Sequence, residues 1–207
     1  MNEQLIEQLK QLGLHLGANG LPYPFPIHPN LVHFTIALPM IAITFDIVAN
    51  LFPFDRPIFK YFNLPTLRSS LYAVGWYNMA MAAAVTFVTV AFGFFEIMLA
   101  QPPADELSDW GMGAGVTMIL HGVGGVILLG VFAALAVWRG LMRYRWPRQD
   151  GREVQWSYLV IGVVLFGVLF VQGTLGAQLG GDFGVHNTAG NLLREGLDPN
   201  TVLQERW

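Results

Sequence analysis

The 207-residue chain has no cysteine, which rules out disulfides, thiolate metal sites and cysteine-ligated iron–sulfur clusters. Charge is also scarce: 12% of residues are Asp, Glu, Lys or Arg, about half the ~25% of a soluble globular domain. The formal charge of -3 and the lack of a basic, aromatic-interleaved patch outside one loop leave no footprint for nucleic acid. No nucleophile–base arrangement, phosphate loop or metalloprotease motif is present. Met1–Gly20 is polar and acidic and lacks the basic start and apolar core of a cleavable signal.

Apolar sequence fills the space left by charge. Hydrophobic residues make up 54% of the chain and its mean hydropathy is +0.47. Four stretches approach the ~20 residues a bilayer requires: Leu31–Phe52, Leu71–Leu99, Met112–Trp138 and Trp156–Leu179. Trp110, Trp138 and Trp156 stand at span edges, where aromatic belts form. The expected fold is an all-α integral membrane protein, a four-transmembrane-helix bundle. Residues 1–20 are expected to form an amphipathic interfacial segment, 21–190 the transmembrane domain and 191–207 a C-terminal tail.

Charge asymmetry gives an orientation. The loops Pro53–Ser69 and Arg139–Gln155 share a face and hold Arg56, Lys60, Arg68, Arg139, Arg143, Arg145, Arg148 and Arg152. The other face has only Lys10, Arg194 and Arg206, beside acids such as Glu3, Glu7, Asp105, Asp109 and Asp182. Basic loops stay in the cytoplasm. Both termini are therefore expected in the periplasm or a thylakoid lumen, across a bacterial inner or thylakoid membrane. At the N-terminus, Leu5, Ile6, Leu9, Leu12 and Leu16 recur at helical spacing, which predicts a helix lying in the interface. Prolines 22, 24, 26 and 29 predict an extended entry that ends with Asn30 capping the first span. The exit "GAQLGGDFGVHNTAG" carries five glycines and has to turn sharply or pack closely.

Chemistry, if the chain performs any, centres on histidine. Of the five, His15 lies on the polar N-terminal segment and reads as solvated. At ~1.5 Å per helical residue, His33 stands roughly 29 Å above Phe52 and His121 roughly 26 Å above Trp138. That shared level, on helices running in the same direction, pairs His33 with His121. His28 and His186 fall above them, in the Pro-rich entry and the Gly-rich exit. Intramembrane histidine is costly without a partner, and imidazole is the commonest metal ligand. Two imidazoles from different helices can hold a b-type haem axially, and the glycines of "HGVGG" and Gly93, Gly173, Gly176, Gly180 and Gly181 leave room for a macrocycle. One or two haems are expected through His28, His33, His121 and His186, with another His-loving metal such as copper as the alternative use of these residues. The bland reading has each histidine bonded to backbone and the glycines serving helix packing alone. Glu96 and Asp46 are the expected supporting carboxylates: Glu96 within reach of the histidines, and Asp46 bonded to Asn78 or to backbone.

"PIHPNLVHFTIAL", followed by Asp46, is similar to the opening "HP-xx-V-x-F-P-I-A-L … D" of the four-helix membrane family catalogued as domain of unknown function 2231. "GTLGAQLGGDFGVHNTAG" resembles its closing "G-xx-L-G-G-x-L-V-Y-x-H-G-x-G-V", and His121 falls where the family has a histidine in its third span. The resemblance runs from about Leu21 to Gly190 and is of the cyanobacterial type. His28, His121 and His186 carry over, and His33 matches a less uniform variant. Thr35 replaces the usual Pro, and "DFGVHNTAG" lacks the Tyr and the Gly after His. Members are found fused to Rieske domains, and cyanobacterial ones are encoded beside terminal oxidase subunits. The resemblance therefore implies membrane electron transport with haem in a respiratory or photosynthetic complex. The implied partners are other membrane subunits and lipid, with quinone or quinol as a further contact. A non-catalytic accessory or assembly subunit with structural histidines is the alternative.

Overall fold

The structure is a computed structural model that describes residues 19–53, 56–57, 61, 65–146 and 152–204. The expected interfacial helix, with His15 and Lys10, lies outside the described residues, as do Lys60, Arg148 and Arg206. Four long helices dominate: α1 (Ile27–Leu51), α2 (Pro65–Leu99), α3 (Ala114–Tyr144) and α4 (Trp156–Gly181). Each is long and apolar enough to cross a bilayer. The chain is a multi-pass integral membrane protein of the all-α class. Two short helices follow, α5 (Thr188–Arg194) and α6 (Pro199–Gln204). Among the described residues there is no β-strand, only an isolated bridge between Leu107 and Gly113.

The four spans are where hydropathy puts them, but their ends differ. α2 begins at Pro65, six residues before the apolar run, with proline at a helix start, where its missing N–H costs nothing. α3 continues through Trp138 to Tyr144, so Arg139 and Arg143 are helical rather than loop residues. α1 begins at Ile27 and takes Pro29 into its first turn, where those N–H groups have no intrahelical partner anyway. Asn30 is consequently inside the helix and does not cap it. The cap comes from another helix: Glu96 Oε1, on α2, accepts the N–H groups of Ile27 (2.8 Å) and His28 (3.0 Å).

The chain forms two compact units, each drawing on all four long helices. One comprises the described residues within 30–90 and 125–171. Its core packs Ala42, Ile43, Tyr72, Met79, Phe132, Leu135, Tyr158 and Leu165, and the Thr35 and Thr89 hydroxyls meet at 2.9 Å. Within that core lies a charged pair. Asp46 and Arg139 both have side chains with no solvent exposure. The guanidinium grips the carboxylate in a two-point contact, Nε to Oδ2 at 2.9 Å and Nη2 to Oδ1 at 3.0 Å, and Nη2 also donates to the Tyr72 carbonyl at 2.9 Å. Glu153 links it to Arg143, 3.4 Å from Arg139 Nη2 and 3.1 Å from Arg143 Nη1. Space for the carboxylate comes from Gly75, where a Cβ would lie 2.4 Å from Asp46 Oδ1.

Asp46 thus does not bond to Asn78, whose amide donates to the Val74 carbonyl instead. Nor does Arg139 add free charge to a loop. An ion buried in an apolar surrounding is stable only when paired and hydrogen-bonded, and the pairing required Arg139 to be drawn into α3.

Among the described residues, the second unit comprises 19–29, 91–124 and 172–204, and carries three of the histidines of interest. Its small apolar core is Ala114, Leu179 and Phe183, with Met118 and Val185 against them. The loop before α3 folds back on itself, with Ser108 N–H donating to the Met112 carbonyl at 2.8 Å.

Candidate functional site

His28 stands in the first turn of α1 and His121 in the first half of α3. Their ring centroids are 5.8 Å apart, with the planes at 86°. Both imidazoles are half-buried, and each is seated on a glycine. A Cβ at Gly93 of α2 would come within 2.7 Å of His28 Nδ1, and one at Gly176 of α4 within 2.9 Å of His121 Cε1. All four long helices therefore meet at this pair.

Gln172 of α4 fixes the His121 ring. Its side-chain amide donates to the His121 carbonyl. Nδ1 of His121 lies 3.2 Å from the Gln172 carbonyl and 3.2 Å from the Gln172 amide nitrogen. Either bond occupies Nδ1. In the tautomer that donates Nδ1–H to the carbonyl, Nε2 keeps its lone pair, the arrangement in which a ligating histidine is usually oriented from behind. Gly124 makes room for this lock, since a Cβ there would lie 2.3 Å from Gln172 Oε1.

Glu96 is buried, with 2% of its surface exposed. One carboxylate oxygen takes the Tyr23 hydroxyl at 2.8 Å in addition to the two α1 amides. Burial and the Glu96 carboxylate hold the Tyr23 phenol well above its ordinary range. The same residue anchors His186 through its backbone. Nε2 of His186 is 2.9 Å from the Glu96 carbonyl, and Nδ1 is 3.2 Å from the Asn19 carbonyl. His186 also has φ 54, a left-handed conformation uncommon for a residue other than glycine. With both ring nitrogens turned to backbone oxygens, His186 serves as a brace between three segments of the chain.

His28, His121, His186 and Glu96 thus gather in one unit. His33 and Asp46 belong to the other. The depth count pairs His121 with His33, whereas the ring contact seen is with His28. His33 follows His28 by five residues, which turns it ~140° around the helix axis, and its side chain is exposed. Asp46 is committed to Arg139. Among the described residues no three His, Asp or Glu side chains converge as a ready cage for a metal ion. Sequence reasoning missed Gln172, although a polar amide inside the apolar run Trp156–Leu179 was a visible signal. Tyr23 and Asn19 carried none.

The chain has no match among curated proteins or among solved structures. Residues 24–189 match the family described as predicted membrane protein, DUF2231. That span takes in all four long helices and His28, Glu96, His121, Gln172 and His186, and the chain belongs to this family.

Proposed function

We propose that this protein is a membrane electron-transfer subunit that holds a b-type haem between His28 and His121. The reading places it in a respiratory or photosynthetic complex such as a terminal oxidase, with quinol as the electron source. The observation that carries it is the close edge-on pair of imidazoles. Metal–nitrogen bonds of about 2 Å set two trans imidazole centroids about 6 Å apart, and the two rings stand at 5.8 Å. Gln172 orients one of them, Glu96 caps the helix turn that presents the other, and glycines back both. Haem held there would supply a one-electron couple. The protein's part is to fix both imidazoles and to enclose them among apolar helices, where a low dielectric and the Glu96 carboxylate bear on the potential.

The excess of Arg on the loop between α3 and α4 and on the α1–α2 connection supports a cytoplasmic position for both. The site then faces the periplasm or lumen, with both termini. Arg139 is withdrawn from this count because it is buried and paired, but Arg56, Arg68, Arg143, Arg145 and Arg152 remain. A reporter active only outside the cytoplasm should work when fused after Trp207 and be silent when inserted at Gln149. The opposite pattern overturns the sidedness.

The haem reading is tested by a reduced-minus-oxidised spectrum of the purified full chain with pyridine extraction. A b-type signal is expected in the wild type, and its loss in both His28→Leu and His121→Leu. If wild-type protein carries no haem, the electron-transfer reading fails. The backbone bonding of His186 favours the second reading for that residue, an accessory or assembly subunit with structural histidine. Copper found in place of haem would move the pair to the metal-binding alternative.

A further inference from the structure

The unit that contains His28 and His121 also contains an open cleft of about 340 Å³, bordered by Asn19, Leu99, Gln101, His186, Asn191 and the exposed Arg194. This is the size of a small-ligand site. Arg194 is the one Lys or Arg among that unit's described residues, which otherwise carry several Asp and Glu. Its guanidinium is held in place. Nη2 donates to the Phe183 carbonyl and Nη1 to Asn191 Oδ1 at 3.4 Å. Gly184 makes the seat, for a Cβ there would lie 2.6 Å from Nη2. Among the described residues two of its five N–H groups are engaged, which leaves three for a ligand. A planar fork of donors fixed at a cleft wall and flanked by side-chain amides fits a carboxylate. Glu195 also borders the cleft and is exposed, so it disfavours a free anion more than one anchored elsewhere.

We infer that Arg194 and its cleft form a carboxylate-binding site. The carboxylate comes either from the acid side chains of the porphyrin proposed at His28 and His121 or from a small organic acid. The first source rests on the haem reading; the second does not. α2 connects the two places: Gly93 abuts the His28 ring, Glu96 caps α1 and braces His186, and Leu99 to Gln101 border the cleft. From Gly93 to Leu99 the helix rises only ~9 Å, within the span of one macrocycle and its acid arms.

The test titrates detergent-purified, haem-free full chain with haemin, with haemin dimethyl ester, whose acids are blocked, and with succinate. Hydrogen bonds to a charged group predict that wild type binds haemin about tenfold or more tightly than the ester. Arg194→Gln should bind both alike, and Arg194→Lys, which keeps the charge, should recover part of the difference. If haemin and ester bind alike in wild type, while succinate raises the unfolding temperature of wild type but not of Arg194→Gln, the carboxylate is that of a free acid. If neither porphyrin binds but succinate still depends on Arg194, the haem reading fails and the site stands. The inference is overturned if the wild type shows neither porphyrin discrimination nor a succinate effect, or if Arg194→Gln retains them.

Discussion

Arg139→Leu should lower the unfolding free energy by about 3–5 kcal/mol, the cost of leaving one member of a buried ion pair behind. In this variant the Asp46 carboxylate, wholly buried, loses both hydrogen bonds from the guanidinium, and the Tyr72 carbonyl loses its donor. Asp46→Leu should destabilise less, because the guanidinium keeps Glu153 and the Tyr72 carbonyl. The double variant Asp46→Leu/Arg139→Leu should recover most of the loss, because an apolar pair of similar volume often replaces a buried ion pair at little cost. Equilibrium unfolding in mixed micelles measures all four corners of the cycle. Additive losses would mean that the two residues do not act as a unit.

The second large effect is expected at the glycine seats. Gly93→Ala puts a methyl 2.7 Å from His28 Nδ1, and Gly176→Ala puts one 2.9 Å from His121 Cε1, so each ring has to leave its position. Overpacking of this kind costs about 1–3 kcal/mol, small enough to leave a folded protein. The signal of the proposed haem should nonetheless disappear or fall steeply in both, since ligation by this pair would depend on the separation of the rings. Gly130→Ala is the control: nothing lies within 4 Å of its added Cβ, and the signal should not change. Retention of the full signal in both seat variants would show that His28 and His121 are not the ligands.

The four spans were legible because bilayer thickness imposes one length on every apolar helix, whatever surrounds it. Features set by partners distant in sequence were not. The start of α1 depends on a carboxylate 69 residues away, so Pro29 is taken into the helix while Pro22, Pro24 and Pro26 stay outside it. Arg139 looked like a loop residue because an arginine after an apolar run ordinarily marks the membrane edge. Its partner Asp46 is 93 residues distant, and nothing local announces it. Depth along a helix could be counted from sequence, and it set His33 level with His121 and His28 above them. Rotation about the axis could not be counted, and the ring contact of His121 is with His28. The exit glycines were expected to turn sharply, and Gly184 does adopt a positive φ of 61. The added role of that glycine, seating Arg194, required a residue ten positions later.

The space that Gly75 leaves for Asp46 ties three positions together in inheritance. While the acid and the arginine are kept, every codon change at position 75 that adds a side chain strikes the carboxylate first. Once Asp46 has become a residue without a Cγ, such as Ala, and Arg139 an apolar one, the glycine loses its reason and a helix-favouring alanine becomes the better choice. A genetic screen should therefore find suppressors of Gly75→Ala at Asp46 and Arg139 rather than scattered along the chain. Descendants that keep Asp46 and Arg139 should keep the glycine as well.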